Sequence, residues 1–233
     1  MIINNQNIID IFIKKKDIEI CKLIIKNGFN LDNKNKYGFK IIHLACQYNF
    51  IDLVKYIYNY DFKYINCIDN SFNIHPLFIC IIYNNFEIFK FLFSCKEINK
   101  DIIWIRKNKN NYYSLINLCI DLNRNKIGEY LIDEIYKQNI NFYTYLKCIN
   151  NDNLYFLKLL PVKLNILNQF INEKTILNYA IDKVNYNLNS INIVKYLIDI
   201  GVKLEYENKT QPIIQIVNKN NIELLNYILK KKN

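Results

Sequence analysis

The stretch Gly38–Ala45, with the sequence GFKIIHLA, contains a short apolar segment, and a second one, IDLVKYI at residues 51–57, follows it closely. Leu53, Val54 and Ile57 have the i, i+1, i+4 spacing of one buried face of a helix. Asn49 lies between the two segments, and Asn tolerates the left-handed backbone that ends one helix and can cap the next. The pattern predicts two short helices joined by a tight turn.

The same unit recurs along the chain. Residues 19–32, EICKLIIKNGFNLD, and residues 192–205, NIVKYLIDIGVKLE, share Ile, Lys, Ile, Gly and Leu in register. A small, buried position in the first helix recurs at intervals of 29 to 39 residues, with a mean of 34, and it falls at Phe12, Ala45, Cys80, Cys119, Cys148, Ala180 and Ile216. An interval of this size predicts stacked two-helix repeats, each too small to bury its apolar face alone.

Short motifs distinguish the ankyrin repeat of about 33 residues from the tetratricopeptide repeat of about 34. GFKIIHLA resembles the ankyrin pattern G-x-T-P-L-H-x-A, with Lys40 and Ile41 in place of Thr-Pro. Further parts of the family pattern are present at Pro76-Leu77, Thr175, Leu177, Ala180 and Pro212, and in the glycines after second helices, Gly28 and Gly201. The tetratricopeptide signatures are absent. The chain therefore resembles the ankyrin-repeat family over roughly residues 7–230.

This resemblance implies an all-α fold, an ankyrin-repeat solenoid of stacked helix-turn-helix units with short hairpin-like loops. We expect one ankyrin-repeat domain over residues 1–233, with about six to seven repeats, the first and last acting as caps with a polar outer face. The repeats around Cys119 and Cys148 match weakly, and the longest interval carries extra residues that include Trp104, so regular hairpins are least expected there. We expect no degradation-adaptor motif after the last repeat.

The charge of the chain supports one alternative function. The formal net charge is +10, and a basic protein can be attracted to nucleic acid. Only Arg106 and Arg124 are arginines, however, and arginine is the residue that makes paired contacts with phosphates and guanine edges. The abundance of Ile, Asn, Lys and Tyr is typical of AT-rich coding, as in some viruses, protists and bacteria. A basic nucleic-acid-associated protein is therefore the alternative, and nucleic acid is not the favoured partner.

The cysteines indicate a reducing compartment. Their number is odd, at seven, and no C-x-x-C pair occurs. The N-terminal residues have no signal-peptide pattern, so we expect reduced thiols in an intracellular protein, in the cytoplasm of the producing cell or of an infected host cell. No apolar run approaches the roughly 20 residues that a membrane-spanning helix needs, so no membrane insertion is expected.

No motif for chemistry stands out. His43 and His75 are the only histidines, and the ankyrin resemblance implies that His43 hydrogen-bonds the neighbouring loop. His43 and Cys46 lie three residues apart, but a structural zinc site needs four ligands and no second pair is evident. The chain has only four glycines, so it has no glycine-rich phosphate loop. We expect no enzyme, no catalytic residue, no metal, no cofactor and no small-molecule substrate.

The resemblance implies that a partner protein binds the loop tips and the exposed face of the first helices, on the concave side. The positions that the register places there are rich in aromatic residues, as protein interfaces are. The candidate partner-binding residues are Tyr37, Phe39, Gln47, Tyr48, Phe72, Ile74, Tyr83, Tyr113 and Asp121. Tyr and Phe are abundant throughout, at 19 and 14, so packing between loops is an equal expectation for some of these rings. The predicted function is a protein-protein interaction module or adaptor.

Overall fold

The structure is a computed structural model, and it describes residues 5–69, 73–106, 111–136, 140–184, 188–206 and 211–232. The chain forms two compact units, unit 1 (Met1–Ile127) and unit 2 (Gly128–Asn233). Helices dominate the described part of each unit. The expectation of a single repeat domain over the whole chain stays a prediction.

Unit 1 is built from pairs of short antiparallel helices. The first helices of the pairs are α1 (Asn5–Lys15), α3 (Ile41–Gln47), α5 (Pro76–Tyr83) and α7 (Leu115–Leu122). The second helices are α2 (Ile18–Lys26), α4 (Ile51–Tyr60), α6 (Phe86–Ser94) and α8 (Asn125–Leu131), which ends in unit 2. First helices pack on one another in the order α1, α3, α5, α7, and α2, α4 and α6 do the same. Each repeat therefore buries its apolar face against its neighbours in the chain.

Unit 2 repeats this arrangement. Its first helices are α9 (Phe142–Asn150), α12 (Ile176–Lys183) and α14 (Pro212–Asn218), and its second helices are α10 (Leu154–Leu159), α13 (Leu188–Asp199) and α15 (Ile222–Lys232). The short helix α11 (Leu164–Leu167) lies between the first two pairs. Within each of the two sets, successive helices pack on one another. The stacked helix pairs predicted from the sequence are confirmed in both units.

A recurring turn joins the two helices of a pair and confirms the predicted register. The amide five residues after the small position donates to its carbonyl oxygen, at 2.8–3.4 Å, where the acceptor is Phe12, Ala45, Cys80, Cys119, Cys148 or Ile216. The residue before each donor has a left-handed φ of 49–59°, and these residues are Lys16, Asn49, Asn84, Asn123, Asp152 and Asn220. Asn and Asp adopt this conformation at lower cost than most residues, which explains their recurrence at the turn.

Polar side chains connect two of the turns in unit 1, those at Asn84 and Asn123, to the preceding repeat. The amide nitrogen Nδ2 of Asn85 donates to the carbonyl oxygen of Cys46 at 2.6 Å. Arg124 donates through Nε to the carbonyl of Ile81 at 3.0 Å and through Nη2 to that of Ile82 at 2.8 Å. These carbonyls lie in the last turn of a helix, where no further helical amide is available to them. In unit 2, Lys183 and Lys219 make corresponding bonds to the carbonyls of Asn150 and Asp182.

The longest interval of unit 1 contains a small antiparallel hairpin. Strand β1 (Trp104–Arg106) pairs with β2 (Asn111–Tyr113), with Trp104 opposite Tyr113. Trp104 is 8% exposed, and its ring lies 5.9 Å from that of Phe78 and 5.7 Å from that of Tyr113. The extra residues of this interval therefore form paired strands, and the ring of Trp104 packs the hairpin against α5.

The last helix pair has an unusually apolar surface. Ile214, Val217, Ile222 and Leu229 are 49–70% exposed on α14 and α15. Exposed polar residues such as Asn218 and Lys230 lie on the same two helices, and the expectation that this pair acts as a cap stays a prediction.

Candidate functional site

Three first helices and one loop of unit 1 enclose a groove of about 580 Å³. It is lined by Asp10, Ile11 and Lys14 of α1, by Asn35, Lys36, Tyr37 and Phe39 of the loop before α3, by Leu44 and Gln47 of α3, by Tyr48, and by Tyr83 of α5. We call this surface the tyrosine groove. Five of the predicted partner-binding residues line it, namely Tyr37, Phe39, Gln47, Tyr48 and Tyr83. The structure therefore brings these five residues, which are distant in the sequence, into one groove.

A tight turn presents Tyr37 at the rim of the tyrosine groove. Oδ1 of Asn35 accepts hydrogen bonds from the amides of Tyr37 at 2.9 Å and of Phe39 at 3.1 Å. The amide of Gly38 donates to the carbonyl of Asn35 at 2.9 Å, and Gly38 has a φ of 85°, which residues with a Cβ rarely adopt. The side chain of Tyr37 is 58% exposed. The turn formed by Asn35 and Gly38 thus leaves Tyr37 exposed to solvent.

An ion pair fixes the base of the same loop. Nζ of Lys40 lies 2.7 Å from Oδ1 of Asp32, and this hydrogen bond lowers the pKa of the Asp32 carboxyl group. The hydroxyl of Tyr64 donates to the other carboxylate oxygen of Asp32 at 3.4 Å. The ion pair therefore joins the two ends, Asp32 and Lys40, of the loop that carries Tyr37 and Phe39.

His43 connects α3 to the next loop, as the resemblance implied. Its Nδ1 accepts the amide hydrogen of Lys40 at 3.3 Å, so its Nε2 is the donor to the carbonyl of Ile74 at 3.2 Å. Burial lowers the pKa of His43 to about 4, which keeps the ring neutral near pH 7. His43 is thus a structural residue that orients the wall of the groove.

His75 is also structural. Its Nδ1 accepts the amide hydrogen of Leu77 at 3.2 Å and so caps the start of α5, while its Nε2 lies 3.3 Å from Oδ1 of Asn66. Burial lowers the pKa of His75 to about 3. The N-cap bond stabilises the start of α5, the helix that carries Tyr83 at its other end.

Two lysines lie against aromatic rings inside the tyrosine groove. Nζ of Lys14 is 5.6 Å from the ring centroid of Tyr48, and Nζ of Lys36 is 4.9 Å from that of Tyr37. In the part of the chain that the structure describes, neither ammonium group forms an ion pair with a carboxylate. The groove therefore combines exposed aromatic surface with two positive charges.

The remaining predicted site residues lie elsewhere. Ile74 is only 3% exposed, because its amide is bound to Asp69 and its carbonyl to His43, so the prediction that its side chain meets a partner is wrong. Tyr113 and Asp121 are half-buried and do not line the groove. The prediction for Phe72 lies outside the described residues.

The α1 wall of the groove is not among the predicted site residues. Lys14 follows Phe12 by two residues, as Gln47 follows Ala45, so the same register identifies it. This repeat contains no family motif that would mark its exposed residues, which include Ile11, 51% exposed.

The thiols offer little reactivity. All seven cysteines are free, and six of them are buried, with Cys67 half-buried. Burial raises the pKa of Cys67 to about 12 and that of Cys148 to about 12, so their thiolate populations are small near pH 7. Within the described ranges, no three His, Cys, Asp or Glu side chains are placed to hold a metal ion. No helix in these ranges is long and apolar enough to cross a membrane.

The chain is similar in sequence and fold to known proteins. A family model for ankyrin repeats (3 copies) matches residues 9–103. An ankyrin repeat protein of Acanthamoeba polyphaga mimivirus is 25% identical over 132 residues, which span 56% of this chain but only 16% of that protein. The solved ankyrin repeat domain of Bcl-3, a member of the IkappaB protein family, has a TM-score of 0.70 at 12% identity, and the match covers 89% of this chain and 92% of that one. The chain therefore carries ankyrin repeats in residues 9–103, and 89% of its length has the fold of an ankyrin-repeat domain.

Proposed function

We propose that the chain binds another protein through the tyrosine groove and serves as a protein-protein interaction module or adaptor. Ankyrin repeats in general present an extended surface for protein partners. The observation that carries the proposal is the convergence of Tyr37, Tyr48 and Tyr83, from a loop and two different repeats, in one groove. Tyr37 and Tyr83 are 58% and 47% exposed. Tyrosine offers a large contact area with few rotatable bonds and a hydroxyl that orients the partner.

Nucleic acid stays the alternative partner, although four lysines also pack against aromatic rings within the chain. In four pairs a lysine of one second helix lies 5.4–6.0 Å from the centroid of an aromatic ring of the next, namely Lys22 with Tyr56, Lys55 with Phe91, Lys158 with Tyr196, and Lys195 with Tyr227. Arg124 is committed to main-chain carbonyls. One of the two arginines is therefore not available for paired contacts with phosphates. A steep loss of binding to any DNA or RNA with rising salt would instead favour the alternative.

We expect no catalytic activity. The ankyrin fold is typically a binding scaffold, and the two histidines are neutral structural residues. An intracellular, cytoplasmic location stays an expectation.

The test is a comparison of proteins captured from native cells by the tagged chain. The groove variant Tyr48→Ala with Tyr83→Ala removes two rings of the groove. The matched control, Tyr60→Ala with Tyr155→Ala, removes two rings of similar type that are 55% and 44% exposed and lie outside the groove lining. Circular dichroism establishes that all three proteins are folded.

We expect wild type and control to retain the same partner and the groove variant to lose it, because truncating a central tyrosine costs about 2 kcal/mol of binding, roughly thirtyfold in affinity. A folded groove variant that captures the same partner in the same amount would reject the proposal.

A further inference from the structure

We infer that the partner presents an acidic segment to the tyrosine groove, with carboxylates beside Lys14 and Lys36 and a large apolar side chain between the rings. This inference rests on the proposed function and specifies the chemistry of the partner.

The first argument is the unmatched charge of the groove. Some lysines elsewhere in the described chain have carboxylate partners, as Lys40 has Asp32 at 2.7 Å and Lys195 has Glu223 at 2.6 Å. Lys14 and Lys36 share one groove, each lies beside a tyrosine ring, and neither is paired with a carboxylate among the described residues. A carboxylate can approach such an ammonium group from the side opposite the ring, so both contacts can coexist.

The only carboxylate of the groove does not cancel these charges. Asp10 lines the same wall, so the lining has one carboxylate against two lysines and keeps a net positive charge. A phosphate backbone that ran along the whole groove would pass Asp10 and be repelled by its negative charge. A peptide with a few spaced carboxylates can place them beside the lysines and away from Asp10. No arginine lines the groove. The site therefore favours an acidic peptide over a nucleic acid.

The second argument is the exposed apolar surface next to these charges. Ile11 is 51% exposed, and it lines the groove together with the exposed rings of Tyr37 and Tyr83. A large apolar side chain that covers this surface removes it from water. Excluding water also lowers the local dielectric, which strengthens the lysine–carboxylate attraction. An acidic segment with an apolar anchor thus satisfies both features together.

The experiment is a selection of random displayed peptides on the immobilised full chain. Wild type is compared with Lys14→Glu plus Lys36→Glu, which reverses the groove charge. The matched control, Lys26→Glu plus Lys90→Glu, changes the net charge equally at two exposed lysines outside the groove lining. The Tyr48→Ala plus Tyr83→Ala variant and a capture of single-stranded oligonucleotides complete the set.

We expect wild type and control to enrich peptides that combine Asp or Glu with an aromatic or large aliphatic residue, and the charge-reversed variant to select basic peptides instead. In the best peptide, replacing each acid by its amide should weaken binding about tenfold at low salt, and less at high salt. Enrichment without an acidic preference, or a preference that survives the charge reversal, overturns the inference.

The outcomes separate this inference from the proposed function. Peptides without acidic preference that require Tyr48 and Tyr83 leave the groove as the binding site and overturn only the acidic partner. Peptides that bind the tyrosine variant equally well count against both. If no peptide is enriched, the acidic segment is rejected, and the capture of native partners decides the proposed function. Oligonucleotide binding that depends on Lys14 and Lys36, without peptide enrichment, replaces this partner by a nucleic acid.

Discussion

The side-chain amide of Asn85 donates a 2.6 Å hydrogen bond to the carbonyl oxygen of Cys46 in the last turn of the preceding repeat's first helix. Asn85 is 9% exposed, so water does not readily replace this bond. Arg124 makes the corresponding link one repeat later. Repeats of unit 1 are therefore joined by directed polar bonds in addition to apolar packing.

Replacing Asn85 by Ala should destabilise the protein by about 1–3 kcal/mol, because the carbonyl of Cys46 loses its shorter hydrogen bond and keeps only that from the amide of Asn49 at 3.4 Å. Asn85→Asp should cost at least as much, since a carboxylate would face an acceptor at a buried position. Urea unfolding measures both changes, with the exposed Asn226→Ala as a control expected within about 0.5 kcal/mol of wild type. An Asn85→Asp protein as stable as wild type would show that this bond does not join the repeats.

The two histidines should make stability depend on pH. The pKa of His43 is about 4 and that of His75 about 3 in the folded protein, against 6.5 when unfolded, so the unfolded chain binds more protons between these values. Their contribution is present above pH 6.5 and is lost as the pH falls toward 4, and for His43 alone it amounts to about 3 kcal/mol.

The double variant His43→Asn with His75→Thr tests this dependence. Asn178 occupies the position of His43, and Thr175 that of His75, in the repeat of α12, although the two histidines themselves belong to successive repeats. The free energy of unfolding of the variant should fall less steeply with pH below 6.5 than that of wild type. Carboxylates contribute to both proteins, so the difference between the two slopes isolates the histidines. Equal slopes would mean that the rings are not held neutral.

The thiols should be unreactive in the folded protein. Cys119 is fully buried, and burial raises its pKa well above the usual value, while Cys67 has a pKa of about 12. A thiol reagent at mildly alkaline pH should therefore label the native protein slowly and all seven cysteines at once after denaturation. Fast labelling of several thiols before unfolding would contradict the burial of Cys80, Cys119 and Cys148 at the small position of the first helices.

The helix pairs were predictable because their signals are local. Asn49 and Asn84 have the left-handed backbone that their residue type favours, and Ala45 and Cys80 are fully buried as their spacing indicated. The bond from His43 followed from the family resemblance.

Other features depend on contacts between residues far apart in the chain. Ile74 looked like an exposed loop residue, but bonds to Asp69 and His43 turn it inward. The hairpin at Trp104 is fixed by Phe78 of α5, a contact for which the sequence gives no periodic signal. The α1 wall of the groove, by contrast, does have a sequence signal, because Lys14 lies at the same register position in the first repeat as Gln47 in the second.

The most direct test of the tyrosine groove as a protein-binding site is photo-crosslinking in native cells. A photoreactive phenylalanine analogue is placed at Tyr48 or Tyr83 in the groove, or at the exposed Tyr60 or Tyr155 outside it. The account predicts that both groove positions crosslink to the same partner protein and that the two outside positions do not. Crosslinks from Tyr60 or Tyr155 alone, or to nucleic acid from the groove, would contradict it.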